Sequence, residues 1–379
     1  MIEVHFDITQ LLLDPRRTGI QRAERELVRH WPSAVPLIPV RYDPCSDGLQ
    51  QVPDQILDIL CEDGPGGVAG AAAEVAKLAP HLSRAKPLDL RRKHVKLLQM
   101  ELFGMRTRSE FLQRLARLDG HEVAMLVHDF LPWLQPQFFD VGAGTTLMHY
   151  LRAVRAASRL CFVSEHTKRD WLQRISRGHG RDGPVFSEGG DGFRMERQHF
   201  FPERQGYIIL GTIEPRKNIL SAIHAFEQLW QDGQGPQLHI VGRLDPSLRH
   251  ECETMQRLAE VPWLQHYAHA SDEQVRNILR RIRAMIFPSE HEGFGLPPFE
   301  SLHSGIPVIV HSELPSVSLL PSSGQIRLLR CDPCSIANAV RLIEVETEAR
   351  RLWAEAAQVN IPSWRGFAQN LADWMGDDR

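Results

Sequence analysis

Strand and helix patterns alternate along this chain in two successive runs, and alternation of that kind leaves few architectures open. The first run opens with "IEVHFDI", a short β-rich stretch. "TGIQRAERELVRHW" follows, with Ile20, Ala23 and Leu27 at helical spacing and Thr18 and Gly19 making the turn between the two. "AVPLIPV" is a second strand, "VAMLVHDFLP" a buried strand ending at His128 and Asp129, "TLMHYLRAVRAASRL" a helix and "CFVS" another buried strand. Between Cys61 and Leu118 the pattern weakens into a low-complexity piece and a basic, amphipathic piece. A Gly- and Arg-rich stretch over 177–206 predicts little regular structure. The alternation then restarts: "YIILG", "NILSAIHAFEQLW", "QLHIVG", "SDEQVRNILRRI", "AMIFPS", a helix over 297–304 ended by Gly305 and Pro307, and "PVIVH". The expectation is an α/β chain of two Rossmann-like, doubly wound domains facing a central cleft, with ligands bound beyond the C-terminal ends of the strands. We place an N-terminal domain at 1–202, a C-terminal domain at 203–357 and a closing helix within 358–379 that crosses back to the first.

At 379 residues the chain suits two domains of ordinary size. A formal net charge of −3 argues against a nucleic-acid binder. No apolar run approaches the roughly 20 residues of a membrane span. "MIEVHFDITQ" carries acids where a signal peptide would be basic and then apolar, which points to the cytoplasm. Cys331-Asp-Pro-Cys334 has no second pair to complete a zinc site, and none of the 18 histidines stands in an HExxH arrangement. No protein-built metal site is expected.

The chemistry concentrates in two stretches. In "LGTIEPRKNIL" a buried strand ends at Gly211, and Asn218 stands where the next helix would be N-capped. Helix N-termini favour acids, so Arg216 and Lys217 have the wrong sign there. They make sense if an anion sits beside the free backbone N–H groups. The plainer alternative is a solvated Arg-Lys pair countered by Glu214. In "PSEHEGFGLPPFESLHSG" Glu292 and Glu300 bracket a Gly- and Pro-rich turn. Gly293 and Gly295 allow the backbone to approach a phosphate, and Pro297 suits a first helical turn. Solvation of Glu292 and dipole stabilisation of Glu300 explain each acid alone. An extended ligand with phosphates in the middle and hydroxyls at both ends explains the pair.

"EGFGLPPFE" together with "GTIEPRKN" resembles the family-4 retaining glycosyltransferases of GT-B fold. "TGIQRAERELV", "VHDFLPWLQPQFF", "YAHASDEQV" and "SWRGFAQNLADWM" are similar to that family's glycine loop, its HD-x-x-P segment, its S-D-E region and its closing helix. The resemblance implies that Arg216 and Lys217 bind the diphosphate of a nucleotide-sugar donor, Glu292 the sugar hydroxyls and Glu300 the ribose. It implies that Gly293, Phe294, Gly295 and Leu296 offer backbone N–H groups, and that His128 faces the transferred sugar while Asp129 is structural. Gly19 and Gly211 would lie close to the donor, with Gly242, Arg243 and Ala270 near the base.

The implied activity is metal-independent retaining transfer of mannose or a related hexose, without a cofactor. A GDP-linked donor would supply the sugar and a glycan or lipid-linked oligosaccharide would accept it, as in bacterial O-antigen and polysaccharide synthesis. A GT-B epimerase or phosphorylase and a catalytically silent nucleotide-sugar-binding subunit are the competing readings. "FSEGGDGF" at 186–193 departs from the family's usual P-L-G-V-D-like segment, and "YAHA" from its glycine-containing turn. Residues 90–118 hold eight Arg or Lys against two Glu, which reads as a solvated helix face or as a dock for an anionic membrane at the cytoplasmic side.

Overall fold

Short apolar runs buried on both faces build the central strands of both sheets, and alternating helices cover them. The computed structural model describes residues 3–15, 18–62, 67–91, 94–230 and 235–377. They divide into two units, 1–188 with 364–379, and 189–363.

The first unit carries β1 (Val4–Asp7), β2 (Leu37–Asp43), β3 (Gly48–Gln51), β4 (Lys86–Pro87), β5 (Lys96–Gln99), β6 (Glu122–Val127) and β7 (Arg159–Phe162), in the order β4-β3-β2-β1-β5-β6-β7. β2, β1, β5, β6 and β7 run parallel, while β3 and β4 add an antiparallel edge. The chain moves outward from β1 to β2 and later returns to β1's other side with β5. The switch point of this sheet therefore lies between the ends of β1 and β5. A short helix, Thr9–Leu13, follows β1, so the turn at Thr18 and Gly19 does not directly follow the strand. Thr18 caps the helix Gly19–His30 by accepting from the Gln21 N–H.

Asp7 closes β1 and is buried. Its Oδ1 accepts from the Thr9 N–H at 3.0 Å and from the Thr9 hydroxyl. Its Oδ2 accepts from Arg108 Nη2 at 2.8 Å, and the Arg108 guanidinium lies 4.3 Å from the centre of the Phe103 ring. The basic stretch 90–118 is thus not one exposed face. It contains β5 and the helix Arg106–Leu115, with Arg108 turned into the core. Arg106 pairs with Glu110 at 2.7 Å and Arg114 with Asp47 at 2.5 Å. Arg92 and Lys93 lie outside the described residues. Breaking a buried pair by removing one partner leaves the other charge stranded, so Arg108→Ala is expected to cost about 3–5 kcal/mol in urea unfolding. A loss below about 1 kcal/mol would mean that Asp7 finds other compensation.

The second unit is an all-parallel sheet of β8 (Tyr207–Leu210), β9 (Leu238–Val241), β10 (Leu264–Tyr267), β11 (Ala284–Phe287), β12 (Val308–His311) and β13 (Gln325–Leu328), ordered β10-β9-β8-β11-β12-β13. Ile219, Ile223 and Phe226 of the helix Ile219–Leu229 pack on Tyr207, Ile209 and Ile240 of the sheet. The edge strands β10 and β13 escape a reading by hydrophobic pattern, since "LQHY" and "QIRL" are polar and partly exposed.

Residues 189–204 group with the second unit, so the division falls at 188/189 rather than at 202/203. The Gly190 N–H donates to the Pro362 carbonyl at 2.8 Å and the Gln198 N–H to that of Ser304 at 2.7 Å. Arg197 donates to the Ala357 and Val359 carbonyls. Arg204 is buried, with its guanidinium 4.2 Å from the Trp353 ring centre. At the other end, the helix Trp364–Gly376 belongs to the first unit. It packs on Gly19–His30, and Arg159 lies over the ring of Trp374 at 4.2 Å. Among the described residues no helix is long and apolar enough to cross a membrane.

Candidate active site

β8 and β11 are neighbours in the second sheet, and the sheet reverses its winding direction between them. The loops leaving their C-terminal ends therefore meet, although 75 residues of sequence separate Lys217 from Glu292. After β8 the chain makes a tight turn, Pro215–Lys217, before the helix Ile219–Leu229. Asn218 occupies the N-cap position with φ 52°, but its side chain caps nothing. Its Nδ2 donates instead to the Cys331 carbonyl at 2.9 Å, tying the loop to the start of the helix Pro333–Glu344.

Arg216 and Lys217 are half-buried and ion-paired, Arg216 in part with Glu214. Arg216 Nη1 lies 2.8 Å from Glu292 Oε2 and also donates to the His291 carbonyl at 2.9 Å. Arg216 Nη2 pairs with Glu214 at 2.7 Å, and Lys217 Nζ with Glu292 Oε1 at 2.5 Å. Lys217 Nζ also lies 5.0 Å from the centre of the Phe287 ring. Burial pushes the Glu292 carboxyl up, yet Lys217 and Arg216 together outweigh it and hold the group down at about 2. A carboxyl depressed in this way adds stability above about pH 4.5 that is lost as pH falls toward 2. The two cations share an internal anion, Glu292.

The stretch after Glu292 turns inward, and Gly293, Phe294, Gly295 and Leu296 are all buried. The Ser316 N–H donates to the Phe294 carbonyl at 2.9 Å and the Ser316 hydroxyl to the Gly295 carbonyl at 2.7 Å. With those carbonyls engaged, the peptide planes are held ahead of the helix Leu296–His303, where Pro297 and Pro298 carry no N–H and Leu296 alone of the first three residues offers one without an acceptor in the helix. Gly295 sits at φ +96°, and a Cβ there would come within 2.9 Å of Leu314, so both conformation and space demand glycine. Glu300 lies beyond the first turn of that helix and is fully buried. A dipole gain of about 0.3–1 kcal/mol does not justify removing a carboxylate from water, so simple helix stabilisation fails to explain it.

Gly211, Gly242 and Ala270 follow β8, β9 and β10 in turn along the same edge of the sheet. Gly242 has φ +156°, and a Cβ on it would meet the Gly211 carbonyl oxygen at 1.9 Å, which explains why the two loops can lie so close. The Ile213 N–H donates to the Arg243 carbonyl at 2.7 Å, while the Arg243 side chain is exposed. Ala270 precedes Ser271, which forms a capping box with Gln274 at the start of the helix Asp272–Leu279.

Gly19 and His128 belong to the first unit. A Cβ on Gly19 would meet nothing within 4 Å among the described residues, so no contact there requires glycine. His128 follows β6 and is buried, and its Nε2 has no hydrogen-bond partner among the described residues. Asp129 does take a structural part: its Oδ1 accepts from the Leu131 N–H at 3.0 Å.

The first unit also contains a group that sequence reasoning missed. Glu24 and Glu101, together with Asp7 and Arg108, lie buried at the switch point beside β1 and β5. Burial, with the Glu101 and Asp7 carboxylates, pushes the Glu24 carboxyl well up. Burial raises Glu101 to about 7 against the opposing pull of Gln21, Arg108 and His128. An unfolded glutamate ionises near about 4.3, so the folded state holds an extra proton between roughly pH 4.5 and 7, and stability falls as pH rises through that window. Glu101→Gln has no proton to lose and is expected to remove that slope, worth roughly 2–3 kcal/mol, in urea midpoints compared at pH 5 and pH 8. An unchanged slope would assign the titration to another group. No sequence signal marks these acids, because Glu24 stands among the charges of "RAERE" and Glu101 in the basic, amphipathic stretch as "QMELF".

Residues 193–359 match the family described as Glycosyl transferases group 1. The serotype-specific mannosyltransferase WbdA of Escherichia coli is 30% identical over 217 residues, which are 51% of this chain and 26% of WbdA. The O-antigen chain mannosyltransferase RfbU of Salmonella typhimurium strain LT2 is 29% identical over 181 residues, 47% of this chain and 49% of RfbU. The matched stretch therefore spans about a quarter of the first relative and about half of the second. Sucrose-phosphate synthase from Thermosynechococcus elongatus shares the fold with a TM-score of 0.67 at 16% identity, over 99% of this chain and 98% of that one. The fold class is α/β GT-B, in line with the resemblance read from the two-glutamate and Arg-Lys stretches.

Proposed function

We propose that this chain, whose residues 193–359 are a glycosyl transferases group 1 domain, is a retaining, metal-independent hexosyltransferase. Its donor is a nucleoside-diphosphate sugar, GDP-mannose or a related GDP-hexose. Its acceptor is a glycan or lipid-linked oligosaccharide of cell-surface polysaccharide synthesis on the cytoplasmic side. The observation that carries this reading is the convergence of Arg216, Lys217 and Glu292 beside the buried turn at Gly293–Leu296. The mannosyltransferase relatives support the choice of sugar.

Cleavage of the bond between the sugar's C1 and the phosphate oxygen leaves a growing negative charge on the diphosphate. Arg216, Lys217 and the Leu296 N–H at the positive end of the helix Leu296–His303 supply positive potential for that charge, which is the help a metal ion would otherwise give. The acceptor hydroxyl attacks C1 from the face the nucleotide leaves, and its proton passes to the departing phosphate oxygen. No side chain need form a bond to the sugar. Peripheral contact with an anionic membrane through residues 90–118 has fewer charges to use than the sequence suggested, since Arg108 is buried and Arg106 and Arg114 are paired.

A thermal-shift series with GDP-, UDP- and ADP-sugars tests the donor. A true donor at 100 times its Kd should stabilise the chain by about 2.7 kcal/mol, and GDP-mannose should rank first. Equal shifts for all three sugar classes, or none, would remove the donor assignment.

A further inference from the structure

The segment 186–193, where this chain departs from the family-like pattern, delivers a carboxylate to His128. Residues 184–186 run beside β7. The Phe162 N–H donates to the Pro184 carbonyl at 3.0 Å, the Phe186 N–H to that of Phe162 at 2.8 Å, and Val185 forms a parallel bridge with Phe162. Two residues further on, Glu188 is buried with Oε1 3.5 Å from His128 Nδ1. β6 is the neighbour of β7, so the histidine at its end lies within reach of this added strand. The backbone of His128 is held as well, since the Thr167 hydroxyl donates to its carbonyl at 2.8 Å. Glu101 also lies within electrostatic range of the ring.

One ring nitrogen thus faces a buried acid, while Nε2 has no hydrogen-bond partner among the described residues although His128 is only 5% exposed. A buried ring nitrogen left without a partner is costly unless a ligand or water meets it. A carboxylate that accepts from Nδ1–H selects the tautomer and fixes the ring's direction. We propose that Glu188 is a positioning residue that keeps the proton of the neutral imidazole on Nδ1 and presents Nε2 as a hydrogen-bond acceptor to a hydroxyl of the transferred sugar. The inference rests on the reading of His128 as the residue that faces that sugar.

The test combines nitrogen NMR of chain labelled with ¹⁵N-histidine and donor kinetics, with the His128 signals identified by their loss in His128→Gln. In the wild type with neutral imidazole, Nε2 should be the bare nitrogen. Glu188→Leu should move the proton to Nε2 and lower kcat about 10–100-fold, with KM for the donor within about twofold. Glu188→Gln, whose amide oxygen can still accept from Nδ1–H, should recover most of kcat. A purely structural ion pair would instead be lost equally in both variants. A bare Nδ1 in the wild type overturns the proposal without any variant, so a poorly folded Glu188→Leu does not protect it. Wild-type kcat in a folded Glu188→Leu overturns it too. A wild type that turns over no nucleotide sugar would sink the transferase reading instead, and with it the sugar-facing part of this inference, while the nitrogen signals still decide the pairing.

Discussion

Lys217→Ala is expected to lower kcat by on the order of 10²–10³ while the chain stays folded, since removing one preorganised electrostatic group from an active site has that scale of effect. The ammonium group sits 2.5 Å from Glu292 in a loop at the sheet's C-terminal edge, outside the hydrophobic core, and Arg216 still pairs with Glu292, so its loss should cost about 1 kcal/mol of stability and leave the fold intact. Far-UV circular dichroism and the thermal midpoint check the second half of the statement, and steady-state turnover of the nucleotide sugar the first. Turnover within threefold of wild type would mean that Lys217 does not meet the leaving diphosphate. Arg216→Ala should behave similarly but less cleanly, because it also frees Glu214 and the His291 carbonyl.

Glu292→Gln is expected to abolish transfer and, at the same time, to tighten binding of the free nucleoside diphosphate. The Glu292 carboxylate holds both cations, so a diphosphate that binds them has to displace it or share them. Converting the acid to an amide removes that competing charge. Two partly buried ion pairs worth about 1 kcal/mol each make the expected gain roughly 5–30-fold in Kd for GDP. Turnover should fall because the sugar hydroxyls lose their charged acceptor. Calorimetry with GDP and turnover with the intact donor are separate readouts. Weaker GDP binding would show that Glu292 orders the two cations for the phosphates rather than competing with them, and full turnover would remove it from the sugar site.

These two expectations differ in how much of them the linear chain could reveal. The wrong-sign pair Arg216-Lys217 and the bracketed glutamates are visible as motifs, because sign and spacing are properties of a few adjacent residues. Their mutual pairing is not visible, because it depends on β8 and β11 being neighbours, a fact of strand order. Asn218 illustrates the same limit at short range. Its residue type suits an N-cap, but the Cys331 carbonyl, 113 residues away, offered its side chain a better-placed partner. Arg108 reads as one more charge in a basic stretch until the Asp7 carboxylate at the end of β1 claims it.

Apart from β5, which lies in the stretch that reads only as basic and amphipathic, the buried strands, the helices with regular apolar spacing and the glycines at strand ends were written in the sequence by itself, since each follows from local periodicity and local backbone freedom. Edge strands β10 and β13, the acids under β1 and β5, and the partner of His128 were decided only by tertiary structure. Edge strands bury too little to imprint a hydrophobic pattern, and an acid such as Glu24 has the same one-letter code whether it faces water or a protein interior. Burial and charge pairing are set by which segments the sheet order brings side by side, and that order is a property of the whole chain.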